Sequence, residues 1–166
     1  MTMNGETEAA TGAMTPLDPR QKHVLRIRLG IVAAVLIGAA LLADLGPLRD
    51  TMLRQGLVPG AVATLALLGL LVLPGRRYRA WGYREEAEEL HIRHGLFVRM
   101  LTALPFARVQ HIDLAQGPIE RRFGLARLIL HTAGTRGAAI PLPGLAQAEA
   151  ERLRDAIRAK MRQDLL

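Results

Sequence analysis

The chain contains no cysteine, and among its 166 residues only one Trp, two Tyr and three Phe. Without thiols there can be no disulfide, no thiolate metal site and no cysteine nucleophile, a composition that fits a reducing compartment. From Arg76 onward there is also no serine, so Thr102, Thr132, Thr135 and the tyrosines are the available hydroxyl nucleophiles, and none lies in a nucleophile-elbow pattern. No glycine-rich phosphate loop is present: Gly56, Gly60 and Gly69 fall in an apolar run, where small residues permit close helix packing. The five histidines, His23, His91, His94, His111 and His131, lack ligand spacing; His91 and His94, three apart on a strand, point to opposite faces. No catalytic residue, metal site or cofactor is therefore expected, and the chain reads as a non-enzyme. The net charge of +7 raises nucleic acid as a partner, but there is no helix-turn-helix pattern and no aromatic-rich strand motif to carry it.

What the chain does have is apolar length. Gly56 to Gly75 holds no charge and ten Leu or Val residues, enough at about 1.5 Å per residue to cross roughly 30 Å of hydrocarbon. A second run, Leu29 to Ala43, is short for a span, but Val24, Leu25 and Ile27 extend it while Arg26 and Arg28 can snorkel. A signal peptide is the competing reading of this first run; no small-x-small cleavage pair follows Ala43, and a better span comes next. The two runs predict a transmembrane hairpin joined by a polar turn at Arg49 to Gln55. Arg20, Lys22, Arg26 and Arg28 precede it and Arg76, Arg77, Arg79 and Arg84 follow it, against Arg49 and Arg54 in between. By the positive-inside rule both termini face the cytoplasm.

Three segments follow: a polar, disordered tail over 1–19, the two-span hairpin over 20–75 and a cytoplasmic domain over 76–166. Within the last, alternation predicts strands at Ala80 to Arg84, with Trp81 and Tyr83 on one face, and at Glu89 to His94. Further strands are expected at Leu96 to Leu104, Arg108 to Ala115, Arg127 to Thr132 and Ala138 to Leu142, with a helical turn at Ile119 to Phe123 and a turn at Gly134 to Gly137. After Pro143 and Gly144 the period becomes helical, and Ala146, Ala150, Leu153, Ile157 and Met161 form one apolar stripe. Glu149 with Arg152, Glu151 with Arg154 and Asp155 with Arg158 form a solvated face. Strands closed by one helix make an α+β domain.

Trp81-Gly82-Tyr83, Gly95, Pro105 with Arg108-Val109-Gln110, Gly117 to Leu125 and His131-Thr132-Ala133-Gly134 together resemble the bacterial pleckstrin-homology (PH) domain of YdbS-like membrane proteins. The resemblance covers nearly all of Ala80 to Ile157. It implies a bent antiparallel sheet or barrel capped by the C-terminal helix, and a neighbouring, larger membrane protein with the same kind of domain.

Candidate binding residues are Arg108, Gln110, Arg121 and Arg122. Strict alternation puts Arg108 and Gln110 on the face of Ile112 and Leu114, where they would bind a lipid phosphate or partner carboxylate, or mark a bulge. Arg121 and Arg122 sit on the short turn that Phe123 anchors, either solvated beside Glu120 or binding an anion. Arg76, Arg77, Tyr78 and Arg79 are expected at the membrane interface, with Tyr78 in the aromatic belt. The expectation is a multi-pass inner-membrane protein, serving as an assembly module with itself or a related PH-domain membrane protein in envelope maintenance. The alternative is binding of anionic phospholipid headgroups through its basic face.

Overall fold

The computed structural model describes residues 14–45, 56–132 and 139–163. Its elements run β1 (Thr15–Pro16), α1 (Gln21–Leu45), α2 (Leu57–Ala80), β2 (Gly82–Glu85), β3 (Glu89–His94) and β4 (Met100–Pro105). A 3-10 turn (Phe106–Arg108) leads into β5 (Val109–Ala115), then α3 (Pro118–Arg122), β6 (Leu125–Thr132), β7 (Ala139–Ala146) and α4 (Gln147–Gln163). The predicted turns at Arg49 to Gln55 and Gly134 to Gly137 lie largely or wholly outside the described residues.

Two units result, one formed by Lys22–Arg76 and the other by the described residues up to Gln21 together with Arg77 onward. In the first, α1 and α2 each have a mean hydropathy of 2.2 over a span-length window. Val35, Leu42, Leu65 and Leu71 are all well exposed, as lipid-facing side chains are and those of a soluble core are not. The Asp44 carboxylate accepts a hydrogen bond from the Gly56 amide at 3.0 Å, which joins the far ends of the two helices. Within α2, the Thr64 hydroxyl donates to the Gly60 carbonyl at 2.9 Å and so brings no unsatisfied donor into hydrocarbon.

The second unit contains two antiparallel sheets, ordered β1-β2-β3-β4 and β5-β6-β7. Their inner faces supply a core of Tyr83, Leu90, Ile92, Leu104, Leu128, Leu130 and Leu142, to which the 3-10 turn adds Phe106 and which α4 closes with the fully buried Ala150, Leu153 and Ile157. This is the expected α+β architecture, with the apolar stripe of the last helix inward. Tyr83 is buried as expected and Trp81 is half-buried against the core, stacking on His94 at 5.3 Å between ring centroids. β7 continues past its expected end through Pro143 and Gly144 to Ala146, so α4 begins only at Gln147.

The largest departure concerns the tail. Residues 14–19 are not disordered: Thr15 pairs with Tyr83 and Pro16 with Gly82, making β1 the outer strand of the first sheet. Leu17 is buried in the common core, and the Tyr78 hydroxyl donates to its carbonyl at 2.8 Å. One residue later the Asp18 amide donates to the Gly144 carbonyl on β7, so six residues bridge both sheets. Gln21 then packs over Gly144, whose φ is +71° and whose missing Cβ would lie 2.7 Å from the Gln21 Cγ. A side chain there would be strained by its backbone and obstructed by its neighbour. Composition alone favours disorder for so polar a stretch; three consecutive tertiary contacts, invisible to local pattern, override it.

Candidate functional site

Four basic or amide residues were candidates for a common surface, and the fold separates them. Arg108 ends the 3-10 turn, exposed, and Gln110 is exposed at a register shift between Val109 and His111. This is a β-bulge: it turns Val109 and Ile112 into the core, so Arg108 and Gln110 do not share the face of Ile112. Arg121 and Arg122 lie on α3 beyond the opposite end of β5. At about 3.3 Å per residue, a seven-residue strand puts roughly 20 Å between the pairs. Arg108, Arg121 and Arg122 are exposed and make no ion pair among the described residues.

Glu120, expected on a solvated turn, is 2% exposed. Its carboxylate accepts from the Gly117 amide at 2.8 Å and from the Arg127 guanidinium at 2.8 Å, capping α3 and tying it to β6. A buried charge with both a backbone donor and a cation is a structural element of the turn. Phe123 is only half-buried, and its carbonyl accepts from Arg20 at 3.2 Å.

Arg76, Arg77 and Arg79 are exposed near the end of α2, and Arg77 and Arg79, in its last turn, also complement the helix dipole. The Tyr78 ring instead packs partly against the core while its hydroxyl holds Leu17.

The charged face of α4 is more than a solvated surface. Glu149 accepts from Arg152 at 2.8 Å and from the Tyr83 hydroxyl at 2.8 Å; Arg152 also reaches Glu85 at 3.3 Å. Lys160 donates to the Glu86 carbonyl at 2.9 Å and stands over the Phe106 ring at 4.6 Å. The Arg152 hydrogen bond, helped by that of Tyr83 and working against burial, holds the Glu149 carboxyl below its ordinary range. Burial, reinforced by the neighbouring Glu149 carboxylate, pushes the Tyr83 phenol well above its ordinary value of 10.0. This network latches the helix onto the first sheet.

Two clusters of titratable groups escaped the sequence reading, one made by cross-strand pairing and one by a turn folding back on the start of β3. On the second sheet His111 and His131 are register partners, and their rings hold Asp113 at 2.6 and 3.1 Å. Desolvation works to raise the Asp113 pKa, but the two histidine hydrogen bonds outweigh it and leave the carboxyl depressed. Beside β3, Glu86, Glu89 and His91 place potential metal-ligating atoms within 4.8 Å of one another. There, the His91 ring lies 2.7 Å from the Glu89 carboxylate and Glu86 is paired with Arg84.

A span hairpin joined to two packed sheets and a closing helix defines a membrane protein carrying a PH-like domain. A model of the bacterial PH domain family matches residues 24–161, and the chain belongs to that family. The transmembrane protein YdbS of Bacillus subtilis (strain 168) is 36% identical over 104 residues, 60% of this chain and 64% of that protein. The transmembrane protein YdbT of the same organism is 32% identical over 106 residues, 63% of this chain and 22% of that protein. The matched region is thus less than two thirds of either relative. No solved structure matches the chain significantly.

Proposed function

We propose that this membrane protein is a non-enzymatic assembly module whose PH-like domain joins a second copy of itself, or a YdbT-like protein, through the free edge of β4. The observation that carries this reading is the unequal protection of the sheet edges. β1 is two residues long and includes Pro16, β7 contains Pro141 and Pro143, and β5 is bulged at Gln110. Each of those devices discourages strand addition. β4 has no hydrogen-bonded partner on its outer side among the described residues, carries no proline before its last position, and exposes Leu101 and Ala103. An unguarded edge is a template for a further strand.

Orientation follows from the inserted hairpin. Both of its ends emerge from one folded unit, which supports an even number of spans with both termini on the same side, and the flanking arginines favour the cytoplasmic face of the inner membrane. An envelope-maintenance role suits that location. Gentle detergent extraction followed by sizing should give a dimer or a complex with the YdbT-like partner. Ala103→Lys together with Leu101→Lys should convert it to monomer; a wild-type chain that is monomeric with and without the partner would overturn the proposal.

Arg108, Arg121 and Arg122, exposed and without an ion pair among the described residues, carry a second reading, binding of anionic headgroups. Its test is salt-dependent retention of anionic lipid by the full chain, since residues 76–166 alone would lack β1 and Leu17.

A further inference from the structure

We propose that the β3–β4 hairpin tip inserts its apolar side chains into the interfacial layer of the bilayer that the chain spans. Phe97 is 93% exposed and Val98 72%, and Met100 and Leu101 beside them are about half exposed. One exposed apolar residue is ordinary, but Phe97 and Val98 project together at the tip, with Met100 and Leu101 exposed on the strand that follows, and such a cluster marks a contact. The turn also depends on one glycine. Gly95 has φ +110°, and a Cβ there would lie 1.8 Å from the Val98 carbonyl oxygen, so only glycine closes this turn.

Register identifies the occupant. β2 opens at Gly82, which pairs with Arg93, while the last pair of the next ladder is His94 with Met100. The tip therefore leaves the sheet at the same end at which the chain enters it. That entry is only two residues beyond Ala80, where the spanning helix ends, and the intervening Trp81 stacks on His94. The covalent path within this unit thus puts the hairpin tip at the end of the sheet that Arg77 and Arg79 lead into.

Charge at the tip matches a lipid surface as well. Arg99 is exposed within the turn, and the Arg93 guanidinium lies over Gly82, its Nη2 3.5 Å from the position of a Cβ there. An apolar point ringed by guanidinium groups presents its carbon to acyl chains and its cations to phosphates. The contact is independent of the arginines on α3, and although Met100 and Leu101 also belong to β4, Phe97 and Val98 lie outside the edge strand and test it separately. It gives the domain a third attachment to the membrane besides its two covalent ones.

The absence of cysteine makes the test direct. The full chain carrying Val98→Cys, labelled with an environment-sensitive fluorophore, is reconstituted into vesicles of mixed neutral and anionic phospholipid. Ala159→Cys on the exposed face of α4 serves as the reference. Burial in the interface should lower iodide quenching at position 98 about fivefold relative to 159, with strong quenching by a nitroxide carried on shallow lipid positions. Adding Phe97→Glu to the Val98→Cys chain should return iodide access to near the reference level. Equal iodide access at 98 and 159, or no effect of Phe97→Glu, would overturn the proposal. So would protection from iodide without lipid-borne quenching, the signature of a protein contact.

Discussion

Replacing Leu17 by alanine should destabilise the PH-like domain, although the residue lies in a stretch whose composition resembles a disordered tail. Leu17 is 2% exposed, so the substitution withdraws three buried carbons, costing about 2 kcal/mol at roughly 0.8 kcal/mol per methylene. An uncollapsed cavity would add about 1 kcal/mol more. The segment has another way out: it can detach, which forfeits the Tyr78 and Asp18 hydrogen bonds at about 1 kcal/mol each and restores chain entropy. Either route gives a loss of about 2–4 kcal/mol. For a domain of this size that lowers Tm by at least about 8 °C. The single tryptophan, Trp81, packs on the core and reports the transition in detergent, and limited trypsin digestion at Arg20 reports release of the segment. A Tm within about 2 °C of wild type and unchanged cleavage at Arg20 would refute the assignment of Met14–Gln21 to the domain.

Glu120→Gln keeps the shape of a buried side chain but turns an amide donor toward Arg127. A loss of about 2–3 kcal/mol in chemical unfolding is expected, at the low end of broken buried pairs because Arg127 is partly solvated. Tyr83 gives a pH dependence of definite sign. Its folded pKa is raised, so the neutral phenol stabilises the fold fully below pH 10, and that stabilisation is lost as pH rises past 10 toward the folded value. The slope approaches about 1.4 kcal/mol per pH unit. Tyr83→Phe should flatten this alkaline decline relative to wild type; parallel declines would exclude Tyr83 as its source.

The spans and the last helix were legible in the sequence because each is written in local periodicity: an uncharged run at Gly56 to Gly75, and a three-four stripe from Ala150 to Met161. The strands were legible to within a few residues for the same reason. β1 was not, because two residues carry no period and its partner, Tyr83, lies beyond both spans. The bulge at Gln110 shifts the side-chain alternation by one, which inverts any face assignment made from strict alternation. Glu120 gave no warning of its burial, since its partner Arg127 comes from the next strand. The arginines of the candidate surface were named one by one from the sequence; their separation follows from the extent of β5 between them.

The two membrane helices are synthesised between the first strand of the domain and all the others. As the chain is made, β1 and Leu17 leave the ribosome long before Tyr83 or Gly144 exist. They can be used only once both helices have been threaded and the chain has returned to the side from which it started. A hairpin that inserted only one helix would strand Leu17 and its partners on opposite faces of the bilayer. Closure of the domain thereby depends on segments that the two long apolar helices separate in the chain.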